Sequence, residues 1–211
     1  MSIFVDTADI EQAKAAKEFG WVRGITTNPI LLAKCNSAAD TLQQLAGLNM
    51  GLLFYQLVSS SKEDMLKEAN LAKEIAGDQL VLKIPPSEQG FKIIPHLPPE
   101  IPCCITALYS VAQAIVARES GVRYIAVYVN RATKLLGDGL SLITDMAGVL
   151  KGSQTQILAA SLKSPLEASA AILSGADHLT LPFDVLNKLT YHENSEEAVN
   201  QFNSDGSGLQ L

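Results

Sequence analysis

Several features that mark large classes of protein are scarce or missing in this sequence. The chain has three cysteines, of which two are adjacent, and this pattern fits neither a disulfide framework nor a metal site. No apolar run approaches the roughly 18 residues of a membrane-spanning helix. The first residues, Met-Ser-Ile-Phe-Val-Asp, do not have the basic and apolar regions of a signal peptide. We therefore expect a protein of the reducing cytoplasm with no membrane partner.

Positive charge is also in short supply. The chain has 16 lysines and arginines against 22 aspartates and glutamates, so its net charge is −6. Because nucleic-acid-binding proteins carry a basic surface, no nucleic-acid partner is expected, whereas small neutral or anionic substrates suit this charge. Apolar residues make up 47% of the chain, which excludes a disordered protein. Since no linker divides the 211 residues, a single domain over residues 1–211 is predicted.

Short apolar runs alternate with longer amphipathic stretches along the chain. Strands are predicted over residues 2–7, 24–27, 51–58, 79–84, 102–107, 124–129, 156–160 and 178–181. Helices are predicted over residues 9–19, 40–46, 62–76, 88–94, 110–120, 139–150, 165–174 and 185–189. Strands that alternate with helices form parallel sheets with helical cover, and eight such units favour an α/β fold of the closed (β/α)8 TIM-barrel type.

An open doubly wound sheet is the alternative architecture for this pattern. It usually has fewer units, and no Gly-x-Gly-x-x-Gly motif follows the first predicted strand, so a dinucleotide-binding fold is disfavoured. A further helix, predicted over residues 195–202, is surplus to the barrel and begins a C-terminal helix and tail over residues 195–211. This extra helix packs either on its own barrel or on a neighbouring subunit.

Polar residues close seven of the eight predicted strands. In a (β/α)8 barrel the active site lies at the carboxyl ends of the strands, and alternate side chains point into the barrel. On this phasing Ser161 points inward together with Ala159. The inward polar residues at the strand ends are Asp6, Asn28, Gln56, Lys83, Thr106, Tyr128 and Ser161. Each can close a strand for structural reasons alone, but their convergence on one rim predicts a polar site.

Lys83 lies within the apolar run 80–85 and is the most informative of these residues. Lysine is rarely buried without a reason. Two structural explanations are open: a side chain that extends to the barrel mouth, or a buried ion pair, for which Asp6 is a candidate partner. The chemical explanation is a Schiff base. Burial of a lysine favours its neutral amine, which attacks a carbonyl and forms an iminium that weakens the adjacent carbon–carbon bond. That is the chemistry of a class I aldolase.

Schiff-base chemistry needs groups that move protons. Tyr128 is the candidate acid/base, and Thr106 and Gln56 can hold a water with it. Gln56 cannot ionise, so its role is to orient. The structural alternative for Tyr128 is a core aromatic at the end of the barrel.

Other residues are candidates for binding substrate. Asp6 and Asn28 can hold sugar hydroxyls, with Thr26 as a further substrate-binding residue. Arg131 follows Tyr128 closely, and Ser161 opens a segment that precedes a predicted helix N-terminus, so together they predict a phosphate site. The three histidines lie far apart in the sequence, and no metal site is predicted.

Six segments of the chain resemble, in order, the small transaldolase family. They are residues 4–9, 24–29, 81–85, 106–109 with 112–113, 128–131 and 159–161. The run Thr26-Thr27-Asn28-Pro29 and the Lys83 strand are the most specific parts of this resemblance, which covers nearly the whole chain. It implies a (β/α)8 barrel with Lys83 as the Schiff-base lysine and no metal or organic cofactor. It also implies a homo-oligomer, a pentamer or a decamer, in which the C-terminal helix reaches over a neighbour.

The family has two branches, which differ at the positions of Gln56 and Tyr128. True transaldolases usually carry Glu and Phe there, whereas fructose-6-phosphate aldolases carry Gln and Tyr, as this chain does. A tyrosine can protonate the dihydroxyacetone enamine and release it, whereas an enzyme without that acid holds the enamine until an acceptor aldose arrives.

The resemblance therefore implies reversible cleavage of fructose 6-phosphate to dihydroxyacetone and glyceraldehyde 3-phosphate, with Arg131 and Ser161 as phosphate ligands. One alternative is a transaldolase that moves dihydroxyacetone between sedoheptulose 7-phosphate and fructose 6-phosphate, as in the pentose phosphate route. Another is a non-catalytic barrel that binds sugar phosphates.

Overall fold

Eight parallel strands pair in sequence order and close into one barrel in the computed structural model, which describes residues 1–209. The strands are β1 Ser2–Asp6, β2 Val22–Thr26, β3 Leu52–Gln56, β4 Leu80–Ile84, β5 Cys103–Leu108, β6 Tyr124–Tyr128, β7 Gln156–Ala160 and β8 His178–Leu181. The prediction of a single-domain (β/α)8 TIM barrel is confirmed, and the open sheet is excluded. The last two residues of the predicted tail lie outside the described residues.

Helices follow every strand and cover the outside of the barrel. They are α1 Ile10–Glu18, α2 Pro29–Leu32, α3 Ala38–Gly47, α4 Lys62–Ala76, α5 Glu88–Ile93, α6 Val111–Glu119, α7 Val129–Leu136, α8 Gly139–Leu150, α9 Pro165–Leu173, α10 Phe183–Asn187 and α11 Glu193–Asp205. Short 3-10 turns cover Gly77–Gln79 and Ile94–His96. Within residues 1–209, no helix is long and apolar enough to cross a membrane.

The helices start where side chains can cap them. Asp9 accepts hydrogen bonds from the N–H groups of Glu11 and Gln12, and Ser164 accepts one from that of Glu167, with Pro165 in the first turn. By contrast, the helix α7 lies outside the predicted elements. Its cap residue is Tyr128, whose side chain makes no capping hydrogen bond, so the sequence carries no start signal there.

Alternation along the strands builds two apolar layers. Leu80, Leu82 and Ile84 of β4 pack outward against the helices. The interior is filled by Phe4, Phe54, Val81, Cys104, Tyr124, Ala126 and Leu158. The predicted phase of β4 is thereby confirmed, and Lys83 stands on the inward face next to Val81.

The predicted phase of β7 is wrong. Leu158 belongs to the inner cluster and Ala159 to the outer layer, so Ala160 is the last inward residue of the strand. Ser161 still reaches the barrel mouth because its φ of +59° turns the backbone into the left-handed region directly after the strand. Side chains alternate between inward and outward only as far as the strand extends, and the prediction applied this alternation one residue beyond the end of β7.

Aromatic rings close the lower half of the barrel; we call Phe4, Phe54, Tyr124 and His178 the aromatic floor. Phe4 meets Phe54 edge-on with ring centroids 5.1 Å apart, and Tyr124 meets His178 at 5.7 Å. The Nδ1 atom of His178 accepts the N–H of Ser2 at 3.0 Å, and its Nε2 lies 3.2 Å from Gln156 Oε1. Because Nδ1 accepts, Nε2 carries the proton, and the floor holds a neutral imidazole.

The extra C-terminal helix is present as predicted. The helix α11 begins two residues earlier and ends three residues later than the predicted range 195–202. None of its residues is buried, and Phe202 is 70% exposed.

Candidate active site

A cavity of about 390 Å³ lies at the carboxyl ends of the strands. Seven of the nine predicted site residues line it: Asp6, Asn28, Gln56, Lys83, Tyr128, Arg131 and Ser161. Parallel strands that end on one rim bring together residues up to 155 positions apart, counting from Asp6 to Ser161. The remaining two, Thr26 and Thr106, are buried beneath the lining and contact residues that form it.

Lys83 is buried, with only 5% of its surface exposed. Its register places it between Gln56 of β3 and Cys104 of β5. The Nζ atom donates to the carbonyl oxygen of Thr27 at 2.8 Å, and within residues 1–209 it forms no ion pair. The ion pair with Asp6 that the sequence left open is therefore not formed. A buried amine held by one neutral acceptor is well placed to act as a nucleophile.

Asp6 is the one carboxylate among the residues that line the cavity, and one hydroxyl group donates to it while a second hydroxyl group supports the first. Thr26 Oγ1 donates to Asp6 Oδ1 at 2.7 Å and lies 2.6 Å from Thr180 Oγ1. Since the single proton of Thr26 goes to the carboxylate, Thr180 must donate to Thr26. Thr180 lines the cavity and was not predicted, because the inward and outward side chains of the eighth strand were not assigned from the sequence. Thr26 thus orients Asp6 and does not itself line the cavity.

A phenol and an amide also line the cavity, and a hydroxyl group lies beneath the phenol. Thr106 Oγ1 donates to the hydroxyl oxygen of Tyr128 at 3.3 Å, which leaves the phenolic proton for another acceptor. Gln56 Oε1 is buried and has no hydrogen-bond partner within the described residues. Buried acceptors are normally satisfied, so Gln56 Oε1 is suited to accept a hydrogen bond from a hydroxyl group or a water.

The rim of the cavity carries the positive charge. Arg131 stands in the first turn of α7, and its guanidinium carbon lies 4.9 Å from the centroid of the Tyr128 ring. Ser161 and Lys163 line the cavity from the loop before α9. Lys163 belongs to the segment that the sequence singled out as preceding a helix, although it was not selected there. Asn28 caps α2, since its Oδ1 accepts the N–H of Leu31 at 3.0 Å.

Two residues other than glycine adopt left-handed backbone conformations at this rim. Ala107 has a φ of +58° at the register shift of β5, and Ser161 has a φ of +59°. Both line the cavity. Strained conformations and bulges of this kind cluster at functional sites. Alanine gives no sequence signal for such a conformation, so Ala107 was not predicted.

The fold and the cavity define a class of protein: a (β/α)8-barrel enzyme whose site combines an amine, a carboxylate and a phenol at the strand ends. The family model described as Transaldolase/Fructose-6-phosphate aldolase matches residues 3–208. The chain belongs to this family, and it is an enzyme of the aldolase/transaldolase type.

Several relatives cover the chain along its length. A protein named probable transaldolase from Hydrogenobaculum sp. is 34% identical over 209 residues, with 97% of this chain and 96% of that one covered. The probable transaldolase of Kosmotoga olearia is 33% identical over 220 residues, covering 99% of this chain and 100% of its own. That of Coprothermobacter proteolyticus is 32% identical, with coverage of 98% and 97%.

Solved structures share the fold at low sequence identity. Thiamine phosphate pyrophosphorylase from Pyrococcus furiosus superposes with a TM-score of 0.62 at 16% identity, covering 89% of this chain and 93% of that one. A mandelate oxidase variant with a monooxide FMN adduct gives 0.64 at 15% identity, covering 90% and 64%. At these identities the likeness concerns the barrel alone.

Proposed function

We propose that this protein is a class I aldolase that reversibly cleaves fructose 6-phosphate to dihydroxyacetone and glyceraldehyde 3-phosphate. The observation that carries the proposal is the buried Lys83 amine, which has no ion pair among residues 1–209 and shares one cavity with the Tyr128 phenol. Membership of the family supports the reaction type.

The first half of the reaction uses Lys83 and Asp6. The neutral amine of Lys83 attacks the ketone carbon C2, and the adduct takes up one proton and loses water to give an iminium. Asp6, the carboxylate of the cavity, accepts the proton of the C4 hydroxyl group. The C3–C4 bond breaks, its electron pair moves to the iminium to form an enamine, and glyceraldehyde 3-phosphate leaves.

The second half releases dihydroxyacetone. The Tyr128 hydroxyl, held through its oxygen by Thr106, gives its proton to the enamine carbon C3. Gln56 Oε1 orients the water that hydrolyses the restored iminium, which frees dihydroxyacetone, the lysine amine and one proton. The proton held by Asp6 returns to the Tyr128 oxygen through solvent, so both groups regain their starting states. Asn28 holds a sugar hydroxyl group, while Arg131 and Ser161 bind the phosphate at the rim.

A transaldolase is the second candidate, because the relatives described above are named probable transaldolase. The test is to incubate the protein with fructose 6-phosphate alone, then with erythrose 4-phosphate added. Free dihydroxyacetone without an acceptor supports the aldolase. Sedoheptulose 7-phosphate that forms only with the acceptor, with little free dihydroxyacetone, makes the protein a transaldolase.

We also infer a cytoplasmic homo-oligomer, a pentamer or a decamer as the resemblance implies. Leu166 and Leu173 lie seven residues apart on α9 and are 79% and 88% exposed, and Phe202 of α11 is exposed as well. Apolar groups on one helix face support contact with further copies. Light scattering on the purified protein tests this inference.

A further inference from the structure

One carboxylate joins the two elements that carry the proposed phosphate ligands. Glu167 Oε1 accepts a hydrogen bond from Asn130 Nδ2 at 2.7 Å, and its Oε2 accepts the backbone N–H of Lys163 at 2.7 Å. Asn130 directly precedes Arg131 on α7. Lys163 lies two residues after Ser161 in the loop before α9. Glu167 therefore connects the Arg131 side of the rim to the Ser161 side.

This contact goes beyond the capping of a helix. Gln113 occupies the same position on α6, and its Oε1 accepts the N–H groups of Tyr109 and Ser110, all within one βα unit. Glu167 uses one oxygen in this local way and sends the other to a residue 37 positions away. The helix α7 packs chiefly against α8 rather than α9. The Asn130–Glu167 hydrogen bond is thus a direct link between the two elements, and its charged acceptor strengthens it.

We propose that Glu167 and Asn130 are positioning residues that hold Arg131 and Ser161 at the correct separation for a phosphate group. The proposal rests on the proposed function, since it concerns the phosphate end of the same cavity. Recognition of a phosphate by donors on two separate elements requires their spacing to be held within about 0.5 Å. Glu167 provides this spacing without contacting the substrate.

The amide of Asn130 and the carboxylate of Glu167 can be exchanged between the two positions by mutation. Asn130→Asp places a second carboxylate against Glu167, and the repulsion forces the two elements apart. Glu167→Gln is conservative, because its Oε1 can still accept from Lys163 while its Nε2 donates to the oxygen of Asn130. Combining Asn130→Asp with Glu167→Gln restores a charge-assisted hydrogen bond with donor and acceptor reversed.

The readout compares phosphorylated with unphosphorylated substrate. For Asn130→Asp we expect KM for fructose 6-phosphate to rise about tenfold, the worth of one charge-assisted hydrogen bond, with kcat for fructose 6-phosphate and kcat/KM for fructose unchanged. Glu167→Gln and the exchanged pair should stay within about threefold of the wild type. An exchanged pair as weak as Asn130→Asp, or an equal loss with fructose, would overturn the proposal.

Binding gives the same comparison without turnover. The Kd of glycerol 3-phosphate, measured by calorimetry on the wild type and the three variants, should follow the same order as KM. This binding measurement does not depend on whether the protein catalyses the proposed reaction. The aldolase proposal and the positioning role can therefore be refuted independently. Equal Kd values for the wild type and Asn130→Asp would refute the positioning role.

Discussion

The two ends of the barrel differ in whether their polar groups have partners. At the mouth, Lys83 has no ion pair within the described residues and Gln56 Oε1 has no partner there. At the aromatic floor, rings meet edge-on and both nitrogens of His178 are paired. The mouth keeps polar groups available for a substrate, whereas the floor pairs both nitrogens of the imidazole that it buries. Changes at the mouth should therefore cost activity, and changes at the floor should cost stability.

The largest effect is expected for Lys83→Met. Methionine keeps an unbranched side chain in the apolar surroundings of β4 but removes the amine, so kcat/KM should fall roughly 10⁴-fold or more. Trapping with dihydroxyacetone and borohydride should disappear, while the urea midpoint is kept. The exposed Lys67, replaced by Met, serves as the control. Trapping that persists in Lys83→Met would remove this lysine from the mechanism.

The strongest test of the floor is Phe54→Ala. Phe54 is fully buried and packs against Phe4 and Tyr124. Loss of its ring should lower the free energy of unfolding by about 3–5 kcal/mol. Urea unfolding measures this, and the remaining folded protein should keep its KM for fructose 6-phosphate. If Phe54→Ala lost activity while its free energy of unfolding stayed at the wild-type value, the division of roles between floor and mouth would be wrong.

Tyr128→Phe sharpens the comparison within the mouth itself. The ring and its contacts with Tyr109 and Arg131 remain, but the proton is lost, so release of dihydroxyacetone should slow by about 10²–10³-fold. Borohydride trapping should persist, and transfer to erythrose 4-phosphate should gain in proportion. The neighbouring Tyr109→Phe is the matched control. Unchanged release in Tyr128→Phe would assign the proton to another group.

The smallest effect is a pH dependence of the floor. Burial lowers the pKa of His178 below its usual 6.5, Arg123 and the N-terminal ammonium lower it further, and Asp177 partly opposes them. The folded protein therefore favours the neutral imidazole, and the unfolded chain binds the proton more readily. This contribution to stability is complete above pH 6.5 and is lost as the pH falls through the lowered value.

Urea unfolding at pH 7.5 and pH 5.5 measures this loss. Replacing His178 with Gln should flatten the difference between the two pH values, whereas the same change at the exposed His192 should not. An unaltered pH dependence in His178→Gln would show that the floor does not titrate.

Local patterns were enough to predict the eight strands, their closure into a barrel and the inward face of β4. Lys83 could be selected because a lysine within an apolar run has few explanations. Prediction from the sequence was less accurate where backbone conformation or contacts between distant residues determine the structure. The helix α7 has no side-chain cap, Ser161 depends on a left-handed turn, and Glu167 contacts Asn130 across two elements. Such features arise when the barrel closes, and a short stretch of sequence carries no information about the contacts that form on that closure.

The hydrogen bonds from Thr180 through Thr26 to Asp6 have a consequence for how the enzyme comes into being. They join the last strand to the second and the first, across the β1–β8 seam. A chain still emerging from the ribosome holds Lys83 long before it holds Thr180, so its barrel is open and the chain of hydrogen bonds to Asp6 lacks its last member. Competence for the reaction thus requires the final strand, and turnover reports that the barrel is closed.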